Sequence, residues 1–151
     1  MQVNSIVQAV LFFYLMICAA CIDIKKREIP QPIWILVALV SVFDFKPVHL
    51  LGILAALPLL IIATWIAPNR LGGGDIKFVA AAGLVLGMQV TNYGVIIGLT
   101  LQVIIFIAYA LLNKMKQKEV RNCSMPLAPC LALGFCAVYL MKLGGIIHEF
   151  I

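Results

Sequence analysis

The sequence predicts an all-α, polytopic membrane protein of about six transmembrane helices with its N-terminus outside. Hydrophobic residues fill 64% of the 151 positions, charged residues only 11%, and the mean hydropathy is +1.12. Those values describe a chain whose solvent is lipid. At about 20 residues per crossing the length holds about six crossings and leaves no room for a soluble domain. The whole chain, 1–151, is therefore expected to be a single membrane-embedded domain.

The first segment, Val3 to Ile22, is apolar apart from Asn4, Ser5 and Gln8 and is long enough to span. No Lys or Arg precedes it, and its basic cluster Lys25-Lys26-Arg27 follows it, the reverse of a cleaved secretory signal. Cys18-Ala19-Ala20-Cys21 faintly resembles a lipoprotein cleavage site, but a cut there would export the basic cluster. A retained first helix is expected. Pro32 suits the first turn of a second helix, and Ile33 to Phe45 is apolar but short. Asp44, Lys46, Pro47 and His49 mark the outer turn, with His49 and His148 read as interfacial. Val48 to Ala67 is a full-length third segment kinked at Pro58. The fourth runs from about Asp75 to Val90, Thr91-Asn92 turns the chain, and the fifth is Tyr93 to Leu112. After the polar stretch Asn113 to Met125, Leu127 to Leu143 forms the sixth.

Basic residues fix the orientation. In a six-helix arrangement Lys25, Lys26, Arg27, Arg70, Lys77, Lys114, Lys116, Lys118 and Arg121 share one side, and only Lys46 and Lys142 fall on the other. The positive-inside rule makes the richer side cytoplasmic. The basic residues sit in short clusters between apolar segments, so the net charge of +5 reads as topology and lipid contact, and no nucleic acid is expected. If the short second segment did not span, Asp75 would lie opposite Asp23 and the charge bias would weaken.

Two acids carry the functional reading. Asp75 follows Gly72, Gly73 and Gly74 at the head of an apolar helix, and Asp23 closes the first helix. Charges near membrane depth are costly and mark functional sites. Six crossings put both carboxylates at one face, where two neighbouring acids share a proton. One can then activate water while the other protonates a carbonyl or a leaving amine. Helix dipoles bias Asp75, at a helix start, toward base and Asp23, at a helix end, toward acid. The pattern is that of a membrane aspartyl protease. No metal and no cofactor are expected, because the acids are too few and no His neighbours them.

Asp23 followed by Ile29-Pro30, Gly72-Gly73-Gly74-Asp75 with Lys77 two residues on, and Met125-Pro126-Leu127-Ala128-Pro129 together resemble the type IV prepilin peptidase family of G-x-G-D aspartyl proteases. The resemblance covers nearly the whole chain in order. It implies that Asp23 and Asp75 are catalytic and that the enzyme removes the basic leader of a prepilin or pseudopilin precursor at the cytoplasmic face of the inner membrane, cutting after a glycine. Gly72 to Gly74 would lie against the extended substrate, with Lys77 a snorkelling lysine or a substrate contact. The larger family members carry paired Cys-x-x-Cys motifs and also methylate the new N-terminus. This chain has five cysteines and one such motif, Cys18 to Cys21, inside an apolar helix, so it resembles the short, peptidase-only branch. Those of tight-adherence pilus systems and the archaeal preflagellin peptidases are of this kind.

Blander readings stand beside these. Asp23 could cap a helix beside Lys25 and Lys26, the glycines could be a plain helix-breaking turn, and Met125 to Pro129 could only shape a loop. A small proton-coupled transporter would also carry intramembrane acids, though mid-membrane. A non-catalytic scaffold of a pilus or secretion apparatus would need neither acid.

Overall fold

The computed structural model describes residues 3–44, 46–66, 72–115 and 126–145. They form helices throughout, joined by short turns. α1 is Val3–Lys26, α2 is Gln31–Val40, α3 is Leu57–Ile61, α4 is Gly73–Leu86, α5 is Met88–Met115 and α6 is Ala128–Leu143. Short 3-10 segments extend α2 through Ser41–Asp44 and precede α3 as Pro47–Ala56, and Ile62–Ile66 continues α3 in π geometry.

α4 is the centre. Only 14 residues long, it packs on α2, on the Pro47–Ala56 helix and on α5, and it touches α6. Ala81, Ala82 and Gly83 are small enough to admit neighbours on every side, and Phe78, Val79, Val85 and Leu86 fill the remaining space. α1 lies between α2 and α6, which closes the ring. Phe12 of α1 stacks on Tyr139 of α6 at 5.3 Å, and Phe78 meets Phe135 at 6.1 Å.

Among the described residues, three helices are long and apolar enough to cross a membrane: Val3–Lys26, Pro47–Trp65 and Met88–Asn113. Gln31–Asp44 and Ala128–Leu143 are apolar but shorter. α4, at about 1.5 Å per residue, reaches only about 21 Å of a roughly 30 Å core. The bundle nonetheless has two distinct ends. Ser5, near the start of α1, donates to Asp44 after α2 at 3.4 Å, and Lys142 donates to the Leu86 carbonyl at 3.0 Å. Asp23 and Asp75 lie together at the opposite end. The Gln31–Asp44 segment therefore runs from one end of the bundle toward the other.

Local chemistry explains most boundaries. Pro58 lacks an N–H and its ring crowds the Leu54 carbonyl; that carbonyl instead takes the Leu57 N–H in a tighter i to i+3 bond, and the helix changes pitch there. Thr64, Thr91 and Thr100 return their hydroxyls to carbonyls one turn back at 2.7 to 2.9 Å, which satisfies them in an apolar setting. The expected turn at Thr91-Asn92 is displaced: both residues are inside α5, and the chain turns at Gly87. Gly87 has φ 85°, a left-handed conformation suited to glycine after a helix, and its N–H bonds the Gly83 carbonyl at 2.9 Å. His49, expected at the interface, is 3% exposed and packed within the bundle. His148, Arg70 and the basic stretch 116–121 lie outside the described residues.

Candidate active site

Asp23 sits one turn before the end of α1, and its environment is set by two neighbouring backbones. Arg27 adopts φ 55° and sends its N–H back to the Asp23 carbonyl at 2.8 Å, which closes the helix. That sharp turn throws Glu28 and Ile29 across toward α4. From the other side, the Ala128 N–H at the start of α6 donates to Asp23 Oδ2 at 2.9 Å. Asp23 is only 4% exposed, and its carboxyl caps a helix 105 residues further on in sequence.

Asp75 lies in the first turn of α4, half-buried, where an acid is favoured by the free N–H groups and the positive helix end. Its N–H bonds the Gly72 carbonyl at 3.1 Å. Asp23 and Asp75 interact as like charges across one cavity of about 290 Å³, lined by Asp23, Arg27, Glu28, Ile29, Gly72, Gly73, Gly74 and Asp75. The structure thus brings both aspartates and all three glycines together.

Lys77 is not among the lining residues. Two positions after Asp75, it points about 200° further round the helix at about 100° per residue, and its ammonium lies 5.5 Å from the centre of the Trp34 ring on α2. That is the posture of a lysine running its stem along apolar surface toward the interface.

Each glycine has its own reason. A Cβ on Gly74 would stand 3.3 Å from the Ile29 carbonyl oxygen, and one on Gly72 would stand 3.1 Å from Asp75 Oδ2. A Cβ on Gly73 would meet nothing within 4 Å. Gly73→Ala is therefore expected to keep near-normal activity, whereas Gly72→Ala and Gly74→Ala each lose about tenfold or more, because displacements of tenths of an ångström at a reacting group are already costly. Cleavage rates of the three variants, normalised to the amount of protein in the membrane, check this ranking. Equal activity in all three would show that the glycines are only a turn.

Sequence reasoning did not place Arg27 and Glu28 in the site, nor the α6 N-terminus. It also assigned roles from the dipoles of α1 and α4 alone. The positive end of α6 against Asp23 offsets the negative end of α1, so helix dipoles do not separate the two acids into base and acid. The signal for α6 was Pro126 and Pro129, which frame a helix start. Among the described residues no three His, Cys, Asp or Glu side chains gather closely enough to hold a metal ion.

A helical bundle with three apolar helices of membrane length among the described residues, and two carboxyls facing one cavity at one end, describes a membrane protein with a candidate acid–base site. The sequence profile of the type IV leader peptidase family matches residues 10–112, and the chain belongs to that family. A curated relative, the prepilin leader peptidase/N-methyltransferase of Bacillus subtilis (strain 168), is 30% identical over 139 residues. The match covers 87% of this chain and 54% of the relative, so the chain spans about half the length of that protein. No solved structure matches the chain.

Proposed function

We propose that the chain is a prepilin leader peptidase that uses Asp23 and Asp75 as an aspartate dyad at the cytoplasmic face of the inner membrane. Its substrate is a type IV prepilin or pseudopilin precursor. The observation that carries this reading is the convergence of the two acids, remote in sequence, on one cavity beside a glycine-rich helix start. Family membership and the prepilin peptidase relative support the substrate class.

The chemistry follows from two carboxyls holding one proton between them. The ionised carboxyl takes a proton from water as the oxygen attacks the scissile carbonyl carbon, and the protonated carboxyl gives its proton to the carbonyl oxygen. As the tetrahedral intermediate collapses, the C–N bond breaks. The carboxyl that took the water proton passes it to the leaving amine, and the other recovers its proton from the hydroxyl. The Ala128 N–H holds Asp23 Oδ2 in place through this sequence. Gly72, whose missing Cβ leaves room for the Asp75 carboxyl, and Gly74, tight on Ile29, hold the start of α4 so that an extended substrate backbone can lie beside Asp75. Lys77 acts on the substrate only from the rim, beside Trp34.

Co-expression with a prepilin-like precursor in membranes tests the proposal. The expected product begins immediately after the leader glycine, as read by mass spectrometry of its N-terminus. A precursor that accumulates intact, with both proteins present at normal levels, would overturn it.

A further inference from the structure

An apolar groove lies about one turn from the candidate active site. It runs between α1 and α6, has a volume of about 240 Å³, and is lined by Met16, Ala20 and Cys21 on one side and Ala132, Leu133 and Cys136 on the other. Met16 and Ala132 are buried and form its floor, while Leu133, 60% exposed, stands as a wall. The Ala128 N–H bond to Asp23 ties together the two helices that form it. Pro129, next to that donor, is itself part of the lining. On α1, Ala20 and Cys21 lie within one turn of Asp23 and Met16 within two. The groove thus begins about one turn from Asp23, at Ala20 and Pro129, and descends along the outside of the bundle.

We propose that this groove seats the first turns of the apolar helix that follows the scissile bond of the substrate. The inference rests on the peptidase reading and adds to it the path by which the substrate reaches the dyad. A precursor cut at the boundary between a polar leader and an apolar segment must hold the bond at Asp23 and Asp75 while keeping the apolar segment out of water. The α1–α6 groove lies next to the dyad, with Ala20 one turn from Asp23 and Pro129 adjacent to the Ala128 donor that bonds it. The groove between α2 and α4 has Lys77 in its lining, whose ammonium an apolar helix would have to desolvate. No charged side chain lines the α1–α6 groove. Ala20 and Ala132 leave the space through which a helix backbone can approach, as small residues do at helix contacts in membranes.

Cys21, exposed in the groove, is the probe once the other cysteines are replaced by serine. The Asp75→Asn chain with Cys21 as its sole cysteine is co-expressed with precursors carrying one cysteine at each of roughly the first eight positions, two helical turns, after the scissile bond. Mild oxidation in membranes is expected to cross-link positions three or four apart, one face of a helix, several-fold above those between them. Equal cross-linking at every position, or none, overturns the proposal and leaves the groove a lipid-filled seam. Cleavage of the same precursors by the chain with an intact dyad is scored in parallel. Absence of cleavage there counts against the peptidase reading itself, whereas cleavage without periodic cross-linking counts against the groove alone. Cys21→Trp supplies a second readout: KM for the membrane-embedded precursor is expected to rise about tenfold or more, with cleavage of a soluble leader peptide lacking the apolar segment unchanged. An unchanged KM, or equal loss on both substrates, overturns the docking role.

Discussion

Asp23→Asn and Asp75→Asn are each expected to reduce leader cleavage by at least about 10³-fold while leaving the protein folded and in the membrane. The size follows from the proposed pairing: in that mechanism each carboxyl must both accept and donate a proton within one turnover, and an amide does neither. The double variant is expected to be little worse than either single one, because residues acting as a unit are not additive. Asparagine is the informative replacement at Asp23, since its carbonyl oxygen can still accept the Ala128 N–H that now meets Oδ2. Asp23→Ala would remove that acceptor as well, and the loss of a helix cap costs about 1 kcal/mol on its own. Asp44→Asn is the matching control. It lies at the opposite end of the bundle, where Ser5 donates to it, and its cleavage rate is expected to stay within about twofold of wild type, as for a substitution away from the chemistry. Initial rates on a co-expressed precursor, with protein levels measured by immunoblot, decide the matter. Near-normal cleavage by either Asp23→Asn or Asp75→Asn would remove the dyad mechanism and bring forward a scaffold or transporter role.

How much of this was legible in the sequence depends on the range of the interaction concerned. Helix existence was legible, because long apolar runs in lipid have only helices or closed barrels open to them. The meeting of Asp23 and Asp75 at one end could be reasoned from the number of crossings between them. The tertiary partners of those acids could not. Nothing near residue 23 announces that the Ala128 N–H reaches it, and a dipole argument confined to each acid's own helix was therefore incomplete. Lys77 was grouped with Asp75 by closeness along the chain, but helical rotation turns it to Trp34 instead. The turn at Gly87 was missed because Thr91-Asn92 looked more polar. In lipid, threonine returns its hydroxyl to the helix, as Thr91 does to Gly87, so polarity is a poor marker of a turn there. His49 was placed at the interface by its position in the polar turn with Asp44 and Lys46, whereas packing buries its side chain.

The structural support of the dyad leads to the second large effect. Gly83→Ala and Gly52→Ala are each expected to destabilise the bundle by about 3 kcal/mol or more, the upper part of the range for overpacking. Gly52, in the Pro47–Ala56 helix, and Gly83, in α4, cross so closely that a Cβ on either would overlap the carbonyl oxygen of the other. The obstacle is backbone, so no side-chain rotation relieves it and the helices must separate. Separation at this point reaches the candidate active site, because α4 carries Asp75 at its first turn while Asp23 is held independently by α6. Misplacing a reacting group by about 1 Å can cost about 10²-fold in rate, so both variants should lose cleavage as well as thermal stability in detergent. The two substitutions share one contact, and the double variant should fall well short of the sum of the single effects. Thermal unfolding in detergent and cleavage in membranes, measured on all three variants, test this together. Wild-type stability in Gly83→Ala would mean that α4 and the Pro47–Ala56 helix do not cross at these glycines, and the placement of Asp75 would then need another support.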